Sequence, residues 1–137
     1  MVIPTYNTGT ERVLPVVRGA MDAWAPVWVV VDGSTDGSAE ALVDLEDEIG
    51  DAESLRVFVL PENGGKGGAV LHALREAESA GFTNALTMDA DGQHPAEAIE
   101  KFMEASQADP PAMVLGVPIF DESAPALRVK RQKISNF

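Results

Sequence analysis

Two aspartates and a glutamine alternate in a short acidic segment, at Asp89, Asp91 and Gln93, and the residues just before it are apolar or neutral. If the chain stays extended here, alternate side chains share one face. Two carboxylates held together repel each other unless a cation or a proton intervenes. Oxygen ligands without His or Cys suit Mg²⁺ or Mn²⁺ better than zinc. The segment therefore predicts a divalent-cation site, although an acidic turn before a helix would explain the same residues.

Two further polar clusters could bind a ligand. Asp32 ends the apolar run 27–31, so its carboxylate could accept hydrogen bonds from a base or a ribose. The alternative is a turn in which Asp36 or Ser38 caps the next helix. The glycine-rich run 63–68 opens a predicted helix, and backbone N–H groups at a helix start favour anions. Lys66 within it is a candidate diphosphate or base contact, with a solvated loop lysine as the alternative.

The pattern of apolar residues predicts alternating strands and helices. Strands are expected at residues 2–5, 27–31, 55–60, 84–88 and 112–116, with helices at 11–24, 38–45, 67–80 and 95–107. This alternation predicts an α/β fold with a mainly parallel sheet and helices on both faces. Ligands of such sheets collect at the carboxyl ends of the strands. Because a polar cluster follows each of the first four strands, we expect these clusters to form one site.

Composition excludes several classes of function. The chain of 137 residues has a net charge of -12, which argues against nucleic-acid binding. It has no cysteine, which excludes disulfides, thiolate metal sites and cysteine nucleophiles. Of the two histidines, His72 is expected on a helix surface and His94 at a helix start. No apolar run reaches the roughly 18 residues of a membrane helix, so we expect a cytoplasmic protein, at most peripheral at a membrane.

Four motifs together resemble the family-2 glycosyltransferases, and within them the dolichol- or polyprenol-phosphate sugar synthases. They are VIPTYN (2–7), VVVDGSTDGS (29–38), ENGGKGGAVLHAL (62–74) and ALTMDADGQHP (85–95). They follow the family's order and approximate spacing over residues 1–116. The resemblance implies a GT-A fold, a three-layer αβα architecture, with a UDP- or GDP-sugar as donor and Mg²⁺ or Mn²⁺ as cofactor.

The resemblance also implies roles for individual residues. A metal would be held by Asp89, Asp91 as the principal ligand, and Gln93, and an acceptor loop would contain Arg128 and Arg131. No residue is assigned as general base. The nucleotide sugar would be bound by Pro4, Thr5, Tyr6, Asn7, Asp32, Gly65, Lys66, Gly67, Asp89, Ala90 and Asp91.

The resemblance implies one expected activity, and two other functions are weighed against it. The expected activity is inverting transfer of the sugar to an unknown acceptor, for which a polyprenyl phosphate is a candidate. One alternative is a phosphatase of the haloacid-dehalogenase type, which normally carries Thr or Val at the position of Gln93 and its Asp-x-Asp motif in the first strand. The other is a nucleotide-sugar-binding module without catalysis. A NAD-binding Rossmann domain lacks support because its glycine fingerprint is missing.

The chain is expected to be a single donor-binding domain and an incomplete transferase. Its core would be residues 1–116 and its irregular, acceptor-side tail residues 117–137. So short a tail cannot cover both the donor and the sheet edge, and exposed apolar surface favours association. We therefore expect a homo-oligomer or a disordered tail, with donor binding but little or no sugar transfer.

Overall fold

The computed structural model describes residues 1–116, and the predicted acceptor-side tail with Arg128 and Arg131 lies outside the described residues. Strands and helices alternate along this part of the chain. It contains three strands, β1 (Val2–Thr5), β2 (Val27–Asp32) and β3 (Leu55–Leu60), and four helices, α1 (Thr10–Ala23), α2 (Ser38–Ile49), α3 (Gly65–Ser79) and α4 (Ala98–Ala108).

The three strands form one parallel sheet in the order β1-β2-β3. β2 is the central strand, and all six of its residues are buried. Its Val29 lies beside Ile3 of β1 on one side and beside Val57 of β3 on the other. Parallel neighbours need long crossover connections, which α1 and α2 provide. The strand expected at residues 27–31 and its place in a parallel sheet are therefore confirmed.

Helices pack on both faces of the sheet. Successive strand residues point to opposite faces, and they belong to two separate apolar clusters. Ile3 and Val29 pack in one cluster with buried residues of α1 and α2. Val30 packs in the other with Ala69 and Ala73 of α3. The result is the three-layer αβα arrangement that was expected.

The fourth and fifth predicted strands do not form as strands in the described part of the chain. Residues 84–88 make a single parallel bridge, in which Val2 N donates to Leu86 O at 2.8 Å and Met88 N donates to Val2 O at 3.0 Å. This places the segment beside β1, on the side away from β2. Residues 112–116 have no strand partner here, and Met113 is 84% exposed. A strand needs a neighbouring ladder and a face to bury, and apolar composition alone supplies neither.

Helix boundaries differ from the predicted ones where local turns decide them. α2 continues past residue 45 because Ile49 also packs on the core, and it ends at Gly50 with a φ of 64°. α4 begins at Ala98 rather than at Pro95, since a tight turn with Ala98 N donating to Pro95 O precedes it. α1 begins at Thr10, so Pro15 lies beyond its first turn.

Gly33 lets the loop after β2 lie directly against the loop after β3. Its φ is +66°, and a Cβ built on it would lie 2.5 Å from Asn63 N and 2.6 Å from the carbonyl carbon of Glu62. Both contacts are with backbone, which cannot move aside as a flexible side chain can. The approach of the two loops therefore requires glycine at this position.

We predict that Gly33→Ala destabilises the fold more than Gly37→Ala does. Gly37 also has a positive φ, of +81°, but a Cβ built on it would have nothing within 4 Å. Gly37→Ala should cost about 1–2 kcal/mol for the left-handed backbone alone. Gly33→Ala should cost about 1–3 kcal/mol more, because the methyl group forces the two loops apart. Urea denaturation of both variants measures the difference, and equal losses would contradict the close approach.

Candidate functional site

The carboxyl ends of the parallel strands bring the predicted polar clusters to one edge of the sheet. β1 ends at Thr5, β2 at Asp32 and β3 at Leu60, and the segment paired with β1 leads into Asp89. Pro4 and Thr5 are buried within β1, whereas Tyr6 is 51% exposed in the loop that follows. Of the four residues 4–7 expected to bind the nucleotide sugar, Tyr6 and Asn7 are thus the exposed ones.

The loops after β1 and β2 are joined by three hydrogen bonds. Asn7 Oδ1 accepts from Thr35 N at 2.8 Å, and Asn7 N donates to Ser34 Oγ at 3.0 Å. Asn7 has a φ of 46°, which is uncommon for a residue other than glycine. The third bond runs from Gly9 N to Asp36 Oδ2 at 2.7 Å. These bonds fix the loop that carries Tyr6 relative to the end of β2.

Asp36 is a positioning residue that the sequence indicated only as a possible helix cap. Its Oδ1 accepts from Ser38 Oγ at 2.5 Å and from Ser38 N at 3.1 Å, at the start of α2. The hydrogen bond from the Ser38 hydroxyl, followed by those from the backbone N–H groups of Gly9 and Ser38, lowers the pKa of the Asp36 carboxyl. One carboxylate therefore links the starts of α1 and α2. An Asp two residues before a Ser at a helix start is the signal for it.

Asp32 connects β2 to the glycine-rich run. It is only 3% exposed, and its Oδ1 accepts a hydrogen bond from Gly64 N at 2.8 Å. The sequence indicated a carboxylate for a base or a ribose. In the structure this carboxylate holds the loop that leads into α3, and its contact with a base or a ribose stays a prediction.

The glycine-rich run and the acidic segment meet at an ion pair. Lys66, the second residue of α3, donates from Nζ to Asp89 Oδ1 at 2.5 Å. His94 Nε2 lies 4.0 Å from the other oxygen of the same carboxylate, so this side chain lies near the acidic segment and outside α4. Both partners of the ion pair are accessible, with side chains 64% and 40% exposed. Two clusters predicted separately are therefore in direct contact.

The acidic segment is not extended, and that part of the prediction is wrong. Asp91 Oδ1 accepts from Gln93 N at 2.9 Å, and Gly92 has a φ of +75°. A local Asp turn and a left-handed glycine therefore reverse the chain just where alternation would have placed Asp89, Asp91 and Gln93 on one face. Ala90 packs in the core, so a contact of Ala90 with a ligand would fall to its backbone.

The oxygen donors of this segment suit a hard divalent cation. A substrate would supply some of the other ligands of such a cation. Within residues 1–116, no three acidic or His side chains come together as a metal-binding group. Mg²⁺ is usually held by one or two carboxylates, with water and substrate phosphates completing the shell. Asp89 and Asp91 supply two carboxylates two residues apart in sequence, the number that such a site usually takes.

A groove of about 370 Å³ lies between α1 and the acidic segment. Arg12 and Val16 line it from α1, and Gly92 and His94 line it from the other side. Its volume is in the range of small-molecule sites. Because neither Asp32, Lys66 nor Asp91 lines it, we assign it no part in binding a nucleotide.

Comparison with known proteins decides the family. The family model described as Glycosyl transferase family 2 matches residues 1–137. The chain belongs to glycosyl transferase family 2.

Two curated relatives are similar to this chain over most of its length. The chain is 33% identical over 113 residues to a polyprenol monophosphomannose synthase of Mycolicibacterium smegmatis, covering 79% of this chain and 40% of the relative. It is 31% identical over 107 residues to an undecaprenyl-phosphate mannosyltransferase of Micrococcus luteus, covering 76% and 42%. The chain therefore spans about two fifths of the length of these relatives.

Solved structures show the same fold. The mannosyltransferase PcManGT from Pyrobaculum calidifontis, in complex with GDP-Man and Mn²⁺, matches with a TM-score of 0.60 and 28% identity, over 80% of this chain and 32% of that one. TarS residues 1–349 from S. aureus match with a TM-score of 0.56 and 22% identity, over 90% and 40%. The expected family and GT-A fold are confirmed. The phosphatase alternative does not agree with this family membership.

Within residues 1–116, no helix is long and apolar enough to cross a membrane.

We predict that Asp36→Ala destabilises this family-2 chain by about 0.5–2 kcal/mol at neutral pH, the usual cost of losing a helix-start acceptor. The lowered pKa means that the folded state favours the carboxylate. Its contribution is therefore full above the ordinary Asp pKa and is lost as the pH falls through the lowered value. Denaturation curves should show the gap between protein and variant narrowing below about pH 4. A gap that stays constant with pH would contradict the role of the charge.

Proposed function

We propose that this chain is the donor-binding part of a metal-dependent glycosyltransferase, which transfers a sugar with inversion from a UDP- or GDP-sugar to a polyprenyl phosphate. The contact between Lys66 and Asp89 carries the proposal. It joins an anion-binding helix start to the acidic segment. A nucleoside diphosphate bridging these two elements would have its phosphates beside both the lysine and the cation.

The start of α3 is the proposed diphosphate site. Residues 61–68 are all exposed, and Gly65 N, the first N–H of α3, donates to Asn63 Oδ1 at 2.9 Å. Backbone N–H groups at a helix start are unpaired within the helix and carry a partial positive charge. Nothing lies within 4 Å of a Cβ position at Gly65, Gly67 or Gly68, which leaves room for phosphate oxygens to approach the backbone.

The base and ribose would lie over the ends of β1 and β2. Tyr6 offers an exposed ring there, the exposed Asn7 follows it, and the carboxylate of Asp32 lies at the end of β2. The hydrogen bonds from Asn7 to the loop after β2 hold this surface before the nucleotide arrives. A surface that is already ordered loses less entropy on binding.

Asp89, Asp91 and Gln93 are the proposed ligands of Mg²⁺ or Mn²⁺. When bound, such a cation would act as a Lewis acid and stabilise charge on the departing diphosphate. Lys66 would add a second positive charge beside the same phosphates. The choice of a divalent cation is supported by the oxygen-only donor set and by the Mn²⁺ in the PcManGT complex.

The proposed substrates follow from the relatives and from charge. The curated relatives are named for polyprenol-linked mannose transfer, and PcManGT holds GDP-Man, so GDP-mannose is the first donor to test. A phosphate acceptor is already ionised and can attack the anomeric carbon without a general base. Attack opposite the departing diphosphate inverts that carbon. The alternative is a module that binds the nucleotide sugar without transferring it.

We predict that GDP with Mn²⁺ raises the melting temperature of the chain and that Asp91→Asn removes the Mn²⁺-dependent part. At about 100 times its dissociation constant, a ligand adds roughly 2.7 kcal/mol of stability, or a few degrees. A thermal-shift panel of UDP, GDP, CDP and ADP, each with and without Mn²⁺, measures the effect. Asp44→Asn, an exposed carboxylate on α2, is the matched control and should behave as the parent. Equal Mn²⁺-dependent shifts for Asp91→Asn and the parent would remove Asp91 from the metal site.

Turnover separates transfer from binding. GDP-mannose and UDP-sugars are incubated with Mn²⁺, with and without a polyprenyl phosphate, and both glycolipid and free sugar are measured. Nucleotide binding with neither product would favour the binding module. Metal-dependent glycolipid formation would support the transferase, and would contradict the expectation that these 137 residues transfer little or no sugar.

We predict that Gly67→Ala stabilises the fold and weakens nucleotide binding. Gly67 lies within α3 with open space at its Cβ position, so alanine should add about 0.5–1 kcal/mol through helix propensity. The same methyl group would keep phosphate oxygens from the backbone. Gly19→Ala in α1, where nothing lies within 4 Å either, is the control. Denaturation and calorimetry with GDP should show that both variants gain stability and that only Gly67→Ala loses affinity; unchanged affinity would place the phosphates elsewhere.

A further inference from the structure

Lys66 already forms an ion pair with Asp89, one of the proposed metal ligands. Its ammonium lies 2.5 Å from Asp89 Oδ1. A divalent cation on the same carboxylate would lie close to this ammonium, and the two positive charges would repel each other. Cation binding at Asp89 is therefore favoured when the lysine moves away from this carboxylate.

The displaced lysine remains beside the proposed phosphates. Lys66 is the second residue of α3, next to the exposed N–H groups at the helix start. Its long side chain can exchange one anionic partner for another by rotation alone. A diphosphate at the helix start offers that second partner.

We propose that Lys66 and the divalent cation compete for Asp89, so that diphosphate binding, by drawing the lysine away, frees the carboxylate for the cation. The inference rests on the proposed function and adds a coupling between its two ligands. Such coupling is reciprocal: GDP must tighten Mn²⁺ binding by the same factor by which Mn²⁺ tightens GDP binding.

The competition predicts opposite effects of Lys66→Met on the two ligands. Without nucleotide, the variant should bind Mn²⁺ about two- to fivefold more tightly, because an exposed ion pair no longer has to be broken. It should bind GDP more weakly, since a phosphate contact is lost. The factor by which GDP tightens Mn²⁺ binding should therefore fall below that of the parent.

Lys101→Met is the matched control. Lys101 is an exposed lysine on α4, and its loss changes the net charge by the same amount. Mn²⁺ binding is measured from the electron paramagnetic resonance signal of free Mn²⁺, with and without GDP, for the parent and both variants. Circular dichroism confirms that each protein is folded. The readout is metal occupancy and needs no turnover.

Each outcome decides between the two proposals. Tighter Mn²⁺ binding by Lys66→Met alone supports the competition. Equal Mn²⁺ affinity in all three proteins overturns the competition and leaves the proposed metal site standing. If both variants bind Mn²⁺ more tightly by the same factor, the effect comes from net charge, and the competition is also overturned. No Mn²⁺ binding to any of them, with or without GDP, overturns metal use, and the competition with it.

Discussion

The burial of every residue of β2 is the constraint on which the rest of the structure depends. Its backbone N–H and C=O groups have no access to water, so they must be paired with a strand on each side. β1 and β3 meet this need in parallel register, and parallel pairing requires a crossover helix between successive strands. Every strand therefore ends at the same edge. The meeting of the loops after β1, β2 and β3 is a consequence of how the core is built.

The carboxylates at this edge of the sheet differ in the groups that donate hydrogen bonds to them. Asp32 accepts from the backbone of Gly64, and Asp91 accepts from the backbone of Gln93. Asp36 accepts from backbone N–H groups and from a hydroxyl at the start of α2. These donors belong to turns and helix starts and have fixed positions. Asp89 instead accepts from the end of a lysine side chain. Exchange of that partner requires no change in the backbone, which makes Asp89 the carboxylate best able to respond to a ligand.

Local pattern predicted what depends on local chemistry. The β3 range 55–60 agrees residue for residue, because β-branched and aromatic residues were bounded by clear turn residues. The strand predicted at 84–88 forms only a single bridge, because a strand also needs a neighbouring ladder, which its own composition does not supply. The prediction of an extended segment at 89–93 is wrong for a local reason. Gly92 and the turn at Asp91 reverse the chain within two residues, so the side chains do not alternate as they would in a strand. The ion pair of Lys66 and Asp89 spans 23 residues of sequence, and no periodicity encodes it.

Transfer between two phosphate-bearing substrates adds a requirement that donor binding does not. Donor and acceptor phosphates repel each other, and the chain itself carries a net charge of -12. A cation at Asp91 and the ammonium of Lys66 would neutralise the donor diphosphate. Their charge would then not be available to the acceptor phosphate. The acceptor phosphate therefore needs positive charge of its own, held close to the anomeric carbon. Four of the ten basic residues fall within 128–133, outside the described residues, and include Arg128 and Arg131. Because Lys130 and Lys133 carry the same charge, electrostatics does not single out Arg128 and Arg131, and their place in an acceptor loop stays a prediction.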